Sequence, residues 1–313
     1  MASLLQKLSS VLPGKSAETS NSNSHNEHGE VEIDQIPPDD LLVEDACDSC
    51  PAPCEDHKQY PSYLDFDKDS PLLGSMLPYG RHIMISTGQS DWAERIEEDT
   101  GTLAANLQAI LKERPTDWRT FVTNTSALAP HSTVTDGHDI TILPDNIIVA
   151  NVTPDKAEQF YQQFVNVPLP AETYNINQVK EEAEKKGDFA VYKNPYDSMI
   201  LICSHRKRDK RCGVTAPILA REFDNVLREK DIIEGEGGAA VLMVSHIGGH
   251  KFAGNIIVYT DQGKRGVWYG RVNSCHCQAI VEKTILEGKV LKELYRGSMS
   301  HSFGPAGCNR HAW

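Results

Sequence analysis

Hydrophobic positions are sparse over residues 14–40, which are built mainly from Ser, Asn, Glu, His and Asp. Such a segment has too little apolar surface to offset the entropy of ordering, and it is predicted to be a disordered tail. Residues 41–75 bring prolines, acids and Cys47, Cys50 and Cys54, and read as irregular lead-in structure. From residue 81 onward the apolar positions fall into two regular series. The first opens with a short strand pattern at 81–86. A helical stripe follows over 92–111, carried by Trp92, Ile96, Leu103, Leu107, Ile110 and Leu111. Next come a strand at 121–123 and a hairpin over 140–150 that turns at Pro144, Asp145 and Asn146. A closing helix begins near Pro154 and carries Ala157, Phe160, Tyr161 and Phe164.

The second series repeats that order. Met199 to Ile202 form a strand, and a helix over 215–230 carries Leu219, Phe223, Val226 and Leu227, with Thr215 as N-cap and Pro217 in the first turn. A strand at 240–244 follows, then a hairpin made of 255–260 and 266–272, then a helix starting near Ser274 with Ile280, Val281, Ile285 and Leu286. Strand, helix, strand, hairpin, helix is the order of a small sheet carrying helices. The expected fold class is therefore α/β, with two thioredoxin-like lobes related by internal duplication behind a disordered N-terminal tail. The expected boundaries are 1–75 for the tail, 76–170 for the first lobe, 171–195 for a linker or surface helix, and 196–313 for the second lobe with a C-terminal tail.

Charge narrows the function classes. The net charge of −13 argues against a general nucleic-acid role, because phosphate binding needs a dominant basic surface. No apolar run approaches the roughly 18–20 residues of a membrane span, and no secretory signal is evident at the N-terminus. The expected location is the cytoplasm, with mitochondria as the alternative. Of the eight cysteines, most are expected to be metal ligands or redox groups rather than structural disulfides.

The densest chemistry lies in the second series. Cys203 and Cys212 form a C-x8-C loop, and His246 and His250 form an H-x3-H loop beyond 33 intervening residues. Each pair directly follows a predicted buried strand, and the ends of adjacent parallel strands face one crevice. Two thiolates and two imidazoles suit zinc or an iron–sulfur cluster. Gly213, Gly248 and Gly249 allow close backbone approach, and the helix start near Cys212 favours an anionic centre. Arg206, Lys207, Arg208, Lys210 and Arg211 form a basic run beside the site, suited either to solvent or to an acidic partner.

These residues resemble the thioredoxin-like 2Fe–2S ferredoxins, in which a C-x3-C pair stands where this chain has His246 and His250. The hairpin of 255–259 and 266–272 is also similar to theirs. With the histidines included, the chain is identified as a member of the sucrase/ferredoxin-like family, over roughly residues 75–300. The resemblance implies a 2Fe–2S cluster held by Cys203, Cys212, His246 and His250, a one-electron carrier with a reductase as donor and an unknown acceptor, and protonation of His246 or His250 on reduction. It further implies that the cytosolic iron–sulfur assembly machinery reads the terminal Trp313. No catalytic residues are assigned, and no carboxylate pair suited to a glycosidase is evident.

Rival readings are a zinc-stabilised binding module and a thiol–disulfide oxidoreductase. The latter lacks a C-x-x-C before a helix in either series, since Cys47 and Cys50 lie in the tail. Cys275 and Cys277 sit at a helix start, where thiols become more acidic. Cys308 is read as incidental, and His205 as a neighbour of the ligand set. In the first series the matching positions hold Ser86, Thr87 and Ser126, so that lobe is read as a copy without a cluster.

Overall fold

The computed structural model describes residues 37–44, 57–170, 175–187 and 189–303. The tail, Cys47, Cys50, Cys54, Cys308 and Trp313 lie outside the described residues. The strands are β1 (Leu42–Val43), β2 (Arg81–Ser86), β3 (Thr120–Thr125), β4 (His138–Leu143), β5 (Ile147–Val152), β6 (Ala190–Lys193), β7 (Ser198–Cys203), β8 (Ala239–Val244), β9 (Ile256–Thr260), β10 (Arg265–Tyr269), β11 (Val290–Leu291) and β12 (Tyr295–Ser298). The α-helices are α1 (Leu103–Glu113), α2 (Ala157–Phe160), α3 (Ile176–Lys186), α4 (Lys210–Glu229) and α5 (Ser274–Ala279). None of the described helices is long and apolar enough to cross a membrane.

Two helices begin elsewhere than the apolar stripes predict. α1 starts at Leu103, eleven residues after Trp92, because Gly101 adopts φ +85° and the Thr102 side chain caps Ala105 N–H. Trp92 and Ile96 are still buried, but from a loop. α4 starts at Lys210 rather than Thr215, because the Asp209 side chain accepts from Arg211 N–H and caps the helix five residues earlier. Cys212 therefore lies in the first turn of α4, and Pro217 falls inside the helix. α5 has a capping box between Asn273 and His276.

The two halves do not each have a separate sheet, although β1 and β11 pair as a small parallel sheet of their own. The other ten strands join one mixed sheet in the order β12-β10-β9-β7-β8-β3-β2-β4-β5-β6. β2 runs parallel to β3 and antiparallel to β4, and β7 runs parallel to β8 and antiparallel to β9. The expected two-lobed molecule is thus a mixed α/β fold on one continuous sheet. β6 arises from the stretch expected to be a linker and becomes an edge strand on β5. The lead-in at 57–75 is irregular yet packed, with the Tyr60 hydroxyl donating to Val272 O at 2.5 Å and Leu72 buried.

The junction of the halves is a short antiparallel seam between β3 and β8. Ser126 N donates to Met243 O and Ser245 N to Asn124 O, both at 2.9 Å. In return, the Ser245 hydroxyl accepts from Asn124 N and the Ser126 hydroxyl from Met243 N, both at 3.0 Å. Each serine thus replaces a carbonyl that the diverging strands cannot supply. Ser245 directly precedes His246, so the seam also fixes the start of the histidine loop.

Alternation along the strands assigns side chains to faces. Ile83 and Ile85 join one core with Val122, Leu107 and Phe160. Ile200 and Ile202 join a second with Leu219, Phe223 and Val258. The other faces of β2 and β7 share a third core, with Met84, Met199, Leu201, Cys203, Tyr79, Tyr259 and Trp268. Within this third layer His82 is fully buried, with Nδ1 2.8 Å from the Tyr259 hydroxyl and Nε2 2.9 Å from the Thr123 hydroxyl. Burial pushes its pKa down to about 3.

Two arginines are buried in the sheet. Arg81 meets Asp145 through Nε and Nη2, at 2.9 and 3.0 Å. Among the described residues Arg296 has no carboxylate partner. Its guanidinium donates to the Ser75 hydroxyl and carbonyl, Asn255 Oδ1 and Gly248 O, at 2.9, 2.8, 2.9 and 3.3 Å. It also lies over the Phe252 and Trp268 rings. Gly249, at φ +66°, passes so close that a Cβ there would stand 2.3 Å from Arg296 Nη2.

Two expected outcomes follow from this layer. His82 has a folded pKa below its unfolded one, so the stability it contributes is present above about pH 6.5 and lost as pH falls toward 3, at about 1.4 kcal/mol per pH unit. His82→Gln is expected to flatten that acid limb in urea titrations run between pH 7 and 4.5; an unchanged slope would assign the acid sensitivity elsewhere. Gly249→Ala combines a left-handed backbone with overpacking against Arg296, and is expected to cost about 2–4 kcal/mol in the same assay. A variant as stable as the parent would show that the loop moves freely.

Candidate functional site

β7 ends at Cys203 and the parallel β8 ends at Val244, so the loops after them open at the same edge of the sheet. Cys203 and Cys212 are each 1% exposed. The two sulfurs are hydrogen-bonded, and this bond holds the Cys203 thiol well below its ordinary pKa. A hydrogen bond and opposite charge from His246, and the backbone N–H of Ile247, act in the same direction, while burial opposes them. Cys212 is pushed strongly upward by its bond to Cys203 and by burial. The two buried thiols thus influence each other strongly, Cys203 being shifted down and Cys212 up.

The imidazoles stand on the facing loop. The His246 and His250 rings are 5.3 Å apart between centroids. In both rings Nδ1 is buried and has no hydrogen-bond partner. His250 is half-exposed, with Nε2 4.0 Å from Asp209 Oδ2. Burial lowers its pKa, and Asp209 partly offsets this. Asp209 itself is clamped by Arg211 through Nε and Nη2, at 2.9 and 2.8 Å. His205, 1% exposed, braces the two loops. Its Nε2 donates to Ala93 O at 2.8 Å, and its Nδ1 accepts from His246 N at 3.1 Å. Those bonds assign its tautomer.

Electrostatically the site rests on Arg296. Burial pushes this guanidinium down to about 10, against the raising influence of Cys203 and Cys212. The cysteines are the groups whose negative forms would favour the charge of Arg296. A cavity of about 340 Å³ opens on the other side of His246, lined by Glu94, Arg119, Phe121, His205 and Arg208 among others.

Of the residues marked in the sequence, the fold brings Cys203 next to Cys212 and His246 and sets His250 beside His246. Cys275 and Cys277 lie elsewhere, in the first turn of α5, where Cys277 is buried and its pKa is raised by burial. Arg206, Lys207 and Lys210 are exposed. In the first half, the Ser86 carbonyl accepts from His138, Thr87 accepts from Trp92 Nε1, and Ser126 serves the seam. Sequence reasoning missed Arg296 and undervalued His205. A lone arginine between Tyr295 and Gly297, in a strand too short to show alternation, carries no signal of its burial.

The expectation of a 2Fe–2S electron carrier is not sustained, and neither is its zinc-module alternative. Among the described residues no group of three or more His, Cys, Asp or Glu side chains is placed to hold a metal ion. Cys203 interacts with Cys212 and His246, while His250 stands half-exposed toward Asp209. The names of relatives do not support electron transport either. "Altered inheritance of mitochondria protein 32" of Meyerozyma guilliermondii is 30% identical over 273 residues, covering 80% of this chain and 94% of that protein. "Actin patches distal protein 1" of Saccharomyces cerevisiae is 29% identical over 266 residues, covering 79% of this chain and 82% of that protein. A protein of Clavispora lusitaniae, also named for altered inheritance of mitochondria, is 47% identical over 102 residues, covering 33% of this chain and 35% of its own length. No solved structure matches. The family described as Sucrase/ferredoxin-like matches residues 72–297, more than two thirds of the sequence, and the chain belongs to that family.

Proposed function

We propose that Cys203 and Cys212, with His246 beside them, bind a thiophilic group, and that the chain uses this site in the inheritance of mitochondria for which relatives are named. The observation that carries the reading is the pair Cys203 and Cys212, each 1% exposed and in no disulfide, with His246 acting on Cys203 and the guanidinium of Arg296 buried in the same half. A thiolate is the reactive form of cysteine, and a buried positive charge favours it. The unpartnered Nδ1 atoms of His246 and His250 are further buried polar groups for which the fold itself provides nothing. A bound group that engages sulfur and ring nitrogen would satisfy both.

We also infer that the halves arose by duplication. The support is the matching order β2-α1-β3-β4-β5 and β7-α4-β8-β9-β10, with the same parallel and antiparallel pairings in each. On this reading the thiol site belongs to the second half, and the first half keeps the crevice without the cysteines.

The test is mass spectrometry of the full chain purified without air, under native and then denaturing conditions. The expected result is an added mass under native conditions that disappears in Cys203→Ser and Cys212→Ser, and the size of that mass identifies the group. Circular dichroism checks that the variants fold. Identical native and denatured masses, with both thiols alkylated at the rate of exposed cysteine, would overturn the binding reading. The process is tested separately: in host cells lacking the protein, the parent chain is expected to restore mitochondrial inheritance and Cys203→Ser is not. Restoration by the variant would detach the site from the process.

A further inference from the structure

The first half has its own crevice at the carboxyl ends of β2 and β3, distinct from the thiol site. It is a cavity of about 570 Å³, with a floor that includes Ile85, Trp92 and Leu103. Its polar lining divides into groups already used and groups left over. The Thr87 hydroxyl donates to Thr125 O and accepts from Trp92 Nε1, and the Thr102 hydroxyl donates to Asp99 O and accepts from Ala105 N. Asn124 lines the same cavity at 8% exposure, and its side chain has no hydrogen-bond partner. His138 donates from Nδ1 to Ser86 O at 2.8 Å, which leaves Nε2 of the neutral ring as an acceptor.

The charge is one-sided. Asp99, Asp136 and Asp155 line the opening, and none of them is in an ion pair among the described residues. No Lys or Arg lines the cavity, in a chain that has 31 of them. The N-terminus of α1 works the other way, but its partial charge is about +0.5 against three full negative charges. An unpartnered, nine-tenths-buried amide beneath three unpaired carboxylates is an acceptor-rich site that asks for a cation with several donors.

We infer that this crevice receives a guanidinium group. Five N–H donors in a plane can meet acceptors placed at several depths, the Asn124 amide oxygen and His138 Nε2 inside and carboxylates at the rim, whereas an ammonium offers a compact point charge. The Trp92 indole and Ile85 give the apolar stem of an arginine a surface to lie on. The first N–H groups of α1, which have no intrahelical acceptor, are placed to meet a carbonyl on the same ligand. The guanidinium can come from free arginine or from an arginine displayed by a partner protein.

Isothermal titration of the full chain tests this with four probes: N-acetyl-arginine methylamide, the corresponding lysine and glutamate compounds, and free arginine. The arginine compound is expected to bind, at least tenfold more tightly than the lysine compound, and the glutamate compound not at all. Binding is expected to weaken at least tenfold in Asp99→Asn with Asp155→Asn, two exposed positions whose change leaves the fold intact, and likewise in Asn124→Leu. The Cys203→Ser variant is expected to bind normally, which separates this site from the thiol site. Tighter binding of the capped compound than of free arginine assigns the ligand to a protein, and the reverse order to the free amino acid. No binding of either arginine form, equal binding of lysine or glutamate, or insensitivity to the aspartate changes would overturn the inference.

Discussion

A single buried cation organises the second half of the molecule. Arg296 reaches the lead-in at Ser75, the histidine loop at Gly248 and the start of β9 at Asn255. Four such donations satisfy the hydrogen-bonding needs of a guanidinium but leave its charge uncompensated. The fold places the compensation at Cys203, whose thiol is held in its acidic range by Cys212, His246 and Ile247 N–H. Arg81, in the first half, shows the other solution, a two-point pair with Asp145. The contrast matters because a carboxylate beside Arg296 would remove the electrostatic reason for a thiolate at Cys203. The acceptors around Arg296 carry no formal charge, so none of them competes with the cysteines for its positive charge.

Besides the third apolar core that they share, the two halves are locked by short, directional contacts. The reciprocal serine bonds of the β3–β8 seam hold the sheet continuous. Beside the seam, residues 90–93 bind the cysteine loop: the Ser204 hydroxyl donates to Ser90 O at 2.6 Å, Lys207 N to Asp91 Oδ1 at 3.1 Å, and His205 to Ala93 O at 2.8 Å. Trp92 lines the acidic crevice while its neighbours hold the cysteine loop. The turn is thus a common wall, and neither crevice has its present shape without the other half.

Much of this order was legible in the sequence, and the failures have physical causes. Strand interiors such as Ile83–Ile85 and Ile200–Ile202 are apolar on both faces because helices cover one side and the shared third core the other, and such runs announce themselves. Helix starts did not, because α1 and α4 are set by capping at Thr102 and Asp209 rather than by their apolar stripes. β6, β11 and β12 have four, two and four residues, too few for a period to register. The nearness of Cys203 to Cys212 and His246, and of His246 to His250, fits loops that follow adjacent parallel strands. Their chemistry did not follow as far as the resemblance implied, because ligand type and spacing say nothing of whether a sulfur faces a metal or another sulfur.

The two crevices occupy corresponding ends of parallel strand pairs, yet they have opposite electrostatics. In the second half a buried guanidinium stands behind the thiols, and Arg206, Lys207, Arg208 and Lys210 surround the opening. In the first, the interior has only neutral groups, and the rim has three carboxylates and no cation. Backbone geometry alone would favour anions at both, since each crevice includes the N-terminus of a helix. The difference therefore comes from side chains alone. A fold that presents the same backbone twice can serve two ligands of opposite charge only if one half overrides the helix contribution, and three aspartates at the first crevice are enough to do so.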